Sequence, residues 1–293
     1  MKKPLIFFVI ALAWSTLIAS ALNLVGGLSH SLAQLYLLFY MVGPAIAALI
    51  CARLFNRGHM VTALGLRPGK DLRRFWFGLF RGWGIGVLLV TFGLVICLVI
   101  GGVGYQPVTV GYSAAIEAAV GEDVSSIITS RSWDIKIILA TLLLNGVIIA
   151  PLMLSEELGW RGWLWHELHK LGFWRASFII GLMWGMWHAP IILMGYNYPD
   201  FPILGVPLFT FLCVLFSPIF SYVRETGGSV WSACMLHGIF NASAGVAIMM
   251  QVRMEWPWNG MLGIAGVITF LIAIGLIFVL RSRRAKALIT NSA

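Results

Sequence analysis

Apolar residues fall in long runs of spanning length along this chain. Eight stand out, at Leu5–Val25, Leu32–Ala52, Trp83–Val103, Ile135–Leu154, Phe173–Met194, Leu204–Val223, Val230–Met250 and Asn259–Leu280. Each is close to the roughly 20 residues that cross a ~30 Å hydrocarbon core as a helix. Helices also satisfy their own backbone groups where water is absent. The pattern therefore predicts an all-α fold, a polytopic membrane bundle of about eight transmembrane helices. Between the second and third runs, Asp71, Arg73 and Arg74 lie beside Phe75, Trp76, Phe77 and Phe80, which predicts a short helix at the membrane interface, read as a basic anchor. Residues 104–134, with Glu117, Glu122 and Asp123, predict a solvated connector containing one short helix.

Composition agrees with a membrane protein. The 293 residues are 60% hydrophobic and 11% charged, with a mean hydropathy of +0.91, whereas soluble domains carry about 25% charged residues. A soluble fold would need one very large core and would leave the twenty-residue runs unexplained.

The formal charge of +9 raises the question of nucleic acid, and the positions of the basic residues answer it. With the N-terminus inside, all of the 20 lysines and arginines except Arg131, Lys136 and Arg253 fall in cytoplasmic segments. This predicts N-in, C-in topology by the positive-inside rule and removes nucleic acid as a partner. Lys2-Lys3, the apolar stretch and Ala19-Ser20-Ala21 imitate a secretory signal, but a retained first helix is expected. Cys51, Cys97, Cys213 and Cys234 each sit alone in a different run and read as small buried hydrophobes.

Against this background Ser155-Glu156-Glu157-Leu158-Gly159-Trp160-Arg161 is exceptional, with two adjacent carboxylates at the end of an apolar run. Ionised groups at membrane depth are costly and line polar cavities or relays. Pro151 loosens the helix about one turn earlier by removing a backbone donor. Glu157 and Arg161, spaced i and i+4, share a helical face and can pair, while Glu156 points about 100° away. Arg161 would then fix Glu157 and leave Glu156 facing a cavity. The alternative places both carboxylates at the interface beside Trp160, Trp163, Trp165 and Trp174.

Two further elements can reach the pair. His188 lies inside the fifth run, and a helical hairpin turning near Leu171 brings it nearly level with Glu156 at 1.5 Å rise per residue. His237 and Asn241, also i and i+4, share a face of the seventh run. Polar groups in lipid need partners, and these are each other's nearest candidates. His166-Glu167-Leu168-His169 is one residue short of a zinc-protease HExxH and reads as a decoy. His30 and His59 read as solvated, and Asn145 as an interhelical hydrogen bond.

Glu156-Glu157-x-x-x-Arg161, an aromatic four residues before His188, and His237-x-x-x-Asn241, over about 110 residues from the fourth run to the seventh, resemble the CPBP family of intramembrane proteases. That family includes CAAX prenyl endopeptidases and bacterial Abi-type proteins. The resemblance implies Glu156 as the general base that activates water, His188 and His237 as groups that orient it, and Asn241 as the oxyanion donor, with Glu157 and Arg161 supporting. It also admits zinc held by Glu156, His188 and His237, since two His and one Glu complete an open catalytic shell, yet the same three can work on water alone. The family usually has Phe where this chain has Trp184, expected to widen an aromatic wall without touching the catalytic groups.

The expected protein is one membrane domain, residues 1–293, with a catalytic core at about 135–245 and peripheral helices at 1–134 and 250–293. It would hydrolyse a hydrophobic or membrane-tethered peptide in a prokaryotic cell membrane, from a site open to the cytoplasm. Its partners would be that peptide or membrane-protein substrate and the lipid bilayer. A non-catalytic immunity or regulatory protein would keep the cavity without the reaction. A proton-coupled transporter would also use buried Glu and His, but normally shows paired broken helices or repeated halves, and neither is present.

Overall fold

The computed structural model describes residues 2–67, 71–100, 106–120, 131–250 and 260–290, and every regular element among them is helical. The longer helices are α1 (Lys2–Leu24), α2 (Ala33–Met41), α3 (Gly43–Phe55), α4 (Leu72–Ile100), α5 (Val108–Val120) and α6 (Arg131–Ala140). After them come the single turn α7 (Leu154–Glu157), then α8 (Phe173–Trp187), α9 (Pro202–Gly227), α10 (Val230–Met250) and α11 (Ile264–Thr290). By length and composition five described stretches can cross a membrane, namely α1, α2 together with α3, α4, α9 and α11, or six if one bent pair is a single span.

The bent pair is the fourth hydrophobic run. Its halves, Asp134–Ile149 and Leu154–Leu171, meet at 48°. Pro151 sits in the break, where it cannot donate to the Val147 carbonyl. The helix α8 has only 15 residues and stops before His188. Pro190 explains the stop, because it has no N–H for the Met186 carbonyl. Two of the helical runs that carry the candidate chemistry are thus broken, at Pro151 and before Pro190.

Close backbone approach sets how these helices cross. A Cβ added at Gly181 or Gly185 of α8 would collide with the backbone of α9 at Val214 or Thr210. A Cβ at Gly238 of α10 would meet the Gly146 carbonyl and the Ala150 backbone. Without a hydrophobic driving force between helices in lipid, such small-residue contacts are what allow tight packing. The second contact brings α10 flush against the bend, and it places His237 and Asn241 over α7.

Several parts depart from the sequence reading. Asp71–Phe80 is not a separate interfacial helix, because α4 runs unbroken for 29 residues from Leu72. Among the described residues of the connector stand α5 and the start of α6, while Glu122 and Asp123 lie outside the described residues. The N-terminal helices are not peripheral. Phe7 of α1 stacks on Trp163 at 5.5 Å and meets Trp160 edge-on at 5.4 Å. The Tyr40 hydroxyl of α2 donates to the Trp187 carbonyl at 2.5 Å. Trp160, Trp163 and Trp165 are accordingly core residues rather than an interfacial belt. All four cysteines are buried and free.

One end of the bundle gathers the charges. Lys3 pairs with Glu167 at 3.6 Å, Arg281 pairs with Glu225, and Arg74 donates to the Thr226 and Glu225 carbonyls. The starts of α1 and α4, the hairpin tip and the end of α9 therefore share one face with Arg281 of α11.

Candidate active site

The site begins at the bend. After the break, α7 carries Glu156 and Glu157 in its single turn, and the backbone then widens to a π-helical stretch over Leu158–Leu164. Such stretches recur at functional sites. Glu157 is fully buried and Glu156 is 4% exposed, so the interfacial reading of the pair fails. Arg161 Nη1 donates to both Glu157 oxygens, at 3.2 and 3.4 Å. Its guanidinium lies between two rings, 4.5 Å from the Trp184 centroid and 4.2 Å from that of Phe220. Arg161 Nε and Nη2 meet no acceptor among the described residues. The two ring faces supply attraction worth about 2 kcal/mol or more in a desolvated setting.

Glu157 has a second partner. His237 Nδ1 donates to its Oε1 at 2.9 Å, so Glu157 joins the arginine to the histidine of α10. Glu156 is also held, contrary to the expectation that it stands free: Trp184 Nε1 donates to its Oε2 at 2.9 Å. Trp184 therefore does more than widen a wall. Its ring also lies 5.7 Å from that of His237 and 6.2 Å from that of His188.

His188 is placed by the end of α8. Its backbone N–H turns to the Gly185 carbonyl at 3.1 Å. The Trp184 carbonyl, its ordinary α-helical acceptor, is thereby open to His188 Nδ1 at 2.8 Å. Both histidines thus use Nδ1 as donor, which leaves Nε2 of each as the open nitrogen and acceptor. Asn241 donates to Met153 Sδ at 3.3 Å, a weak acceptor that a better one can displace.

Glu156, Trp184, His188, His237 and Asn241 line one cavity of about 350 Å³. The hairpin does bring Glu156 and His188 to one level. The rest of the wall is mainly aromatic and aliphatic, with Tyr40 of α2, Phe209 and Phe216 of α9 and Phe270 of α11. Tyr196, in the loop after α8, contributes a hydroxyl whose pKa is raised, first by burial and then by the Glu156 charge. It is a neutral donor.

Open Nε2 atoms backed by a carboxylate suit an ion chemically. Among the described residues, however, no three His, Cys, Asp or Glu side chains are grouped to hold one. Glu156, His188 and His237 do not form a ligand set in this arrangement.

Other candidates stay apart. His169 Nδ1 bonds the His166 carbonyl at 2.7 Å and Glu167 pairs with Lys3, so the HELH stretch is not brought to the cavity. His30 has a local partner, accepting from the Leu32 N–H at 3.2 Å. Asn145 is exposed rather than bonded between helices. Sequence reasoning missed Trp184 as a donor and Tyr196 as a cavity hydroxyl. A signal existed for the first, since a buried indole N–H in a lipid-spanning helix needs an acceptor.

Residues 132–243 match a family described as Rce1-like, type II CAAX prenyl endopeptidase. The matched region contains the bend, both carboxylates, both histidines and Asn241. A CAAX prenyl protease 2 of Methanococcus maripaludis is 39% identical over 44 residues, which is 15% of this chain and 16% of that protein.

Proposed function

We propose, from the match of residues 132–243 to the Rce1-like CAAX prenyl endopeptidase family, that the chain is a glutamate-dependent intramembrane endopeptidase. The observation that carries the reading is the Glu156 carboxylate, buried on the wall of an apolar cavity beside two histidines whose open nitrogens are acceptors. Its partners are the lipid bilayer and a hydrophobic or membrane-tethered peptide, and prenylated CAAX tails are the class named by the relative in Methanococcus.

The reaction needs no other participant than water. Glu156 takes a proton from a water molecule whose second hydrogen is oriented by Nε2 of His188 or His237. The water oxygen attacks the peptide carbonyl carbon, and the negative charge moves to the carbonyl oxygen. Asn241 Nδ2 turns from Met153 to that oxyanion. The carbon–nitrogen bond then breaks, and Glu156 returns its proton to the departing amine. The low-dielectric wall strengthens each of these electrostatic contacts.

The protein is read as one membrane domain in a prokaryotic cell membrane, with a catalytic core near residues 135–245 and, by the positive-inside rule, the charged end toward the cytoplasm. The test is purification into liposomes with an internally quenched farnesylated CAAX peptide. The wild type cleaves it and Glu156→Gln does not; equal cleavage by both removes Glu156 as the base.

A further inference from the structure

Trp184 is where the parts of the site converge. Its indole N–H reaches Glu156 Oε2 at 2.9 Å, its carbonyl receives His188 Nδ1 at 2.8 Å, and Arg161 lies over its ring at 4.5 Å. We propose that Trp184 is a positioning residue for hydrolysis: its Nε1–H engages Oε2 of Glu156 and so presents Oε1 as the oxygen that takes the proton from water.

The geometry supports a role beyond packing. A carboxylate on an apolar wall with one oxygen unengaged can rotate about its terminal bond, a broad torsion with no strong staggered preference. A single directed donor at hydrogen-bonding distance removes that freedom. The ring alone cannot do this. Trp184 is itself held on both sides, because its ring packs at 5.3 Å on Phe220 and 6.1 Å on Phe216 of α9 while Arg161 covers a face. Arg161 is in turn fixed by Glu157, which also holds His237. The two carboxylates are therefore joined through the arginine and the indole. A shift at Glu157 reaches Glu156 by contact rather than by charge alone.

The inference rests on Glu156 acting as the base, and the experiment separates the two. Trp184 is replaced by β-(3-benzothienyl)alanine, which keeps the bicyclic shape and lacks the N–H, and by Phe as a second variant. The first readout is the infrared carboxylate signal of Glu156, isolated by subtracting the spectrum of Glu156→Gln from that of its parent. This signal shifts on loss of the N–H and needs no substrate; an unshifted band overturns the hydrogen bond.

The second readout is cleavage of the quenched farnesylated peptide. Misplacing a catalytic group costs on the order of tenfold to a hundredfold in rate. The expected result is a fall in kcat of about tenfold or more, with KM within about twofold and an unchanged melting temperature for the isosteric variant. Unchanged kcat, or a raised KM at constant kcat, overturns the positioning role. Full activity of Glu156→Gln instead overturns the base assignment, and then the infrared result stands by itself.

Discussion

His237 Nδ1 lies 2.9 Å from Glu157 Oε1, across 80 residues of sequence. The same oxygen accepts from Arg161 at 3.2 Å. Glu157 is therefore more than a sequence neighbour of Glu156. It neutralises a buried guanidinium and fixes one imidazole in the tautomer that keeps Nε2 open. Orienting carboxylates of this kind recur behind working histidines.

Removing Glu157 should be structural as well as catalytic. Glu157→Ala leaves the Arg161 charge buried without its partner, a change that costs about 3–5 kcal/mol. Thermal unfolding in detergent should fall by several degrees and cleavage should be lost. Glu157→Gln keeps the volume and an acceptor, so its melting temperature should lie between the two. An alanine variant as stable as wild type would show that the pair contributes nothing.

Asn241 should separate chemistry from folding. Among the described residues its amide donates to the Met153 thioether, a weak acceptor, so Asn241→Ala should leave the melting temperature near that of wild type. Losing one oxyanion donor costs about 10²–10³ in kcat. Single-turnover cleavage measures this directly, and a rate within twofold of wild type would exclude the oxyanion role.

Gly238 should not tolerate a side chain. A Cβ there meets the Gly146 carbonyl and the Ala150 backbone, so Gly238→Val must push α10 from the bend. The monodisperse fraction after detergent extraction should drop sharply. Cleavage should fail even in the protein that survives, since His237 and Asn241 ride on the same helix. Gly275, which has open space around it, is the control, and Gly275→Val should behave as wild type.

The first helix should matter to the site. Phe7→Ala removes a fully buried ring from between Trp160 and Trp163, and such truncations cost about 3–5 kcal/mol. Lower thermal stability together with reduced cleavage would follow from loosening the π-helical stretch that carries Arg161. A variant with normal stability would return α1 to the periphery.

Metal removal should leave the reaction intact. Among the described residues no three metal-binding side chains converge, and the proposed steps run through water. Cleavage should survive dialysis against a strong chelator, and elemental analysis should find well below one zinc per chain. A metal at one equivalent that His237→Ala abolishes would overturn this route.

Local spacing made much of the site legible. Glu157 and Arg161 are one helical turn apart, and i,i+4 geometry alone brings them together. Pro151 announces the bend because it removes a specific backbone donor, whereas the stop before Pro190 went unread inside the run Phe173–Met194. The length of the helical hairpin likewise set Glu156 level with His188. Span counting was less secure. It finds eight apolar runs, while among the described residues five or six stretches meet the length and hydropathy of a crossing; the fifth run falls short because α8 stops before His188.

The amino-acid sequence by itself determined a helical membrane protein, the residues able to carry chemistry and the one ion pair that a helix makes locally. Only the tertiary structure decided how they are wired. His237 reaches Glu157 rather than Glu156, Trp184 reaches Glu156, and α1 and α2 close on the π-helical stretch and on the end of α8. These contacts depend on helix crossing angles and backbone distances set by residues such as Gly238 and Gly185. A sequence records such residues as small, but it does not record which neighbour comes close.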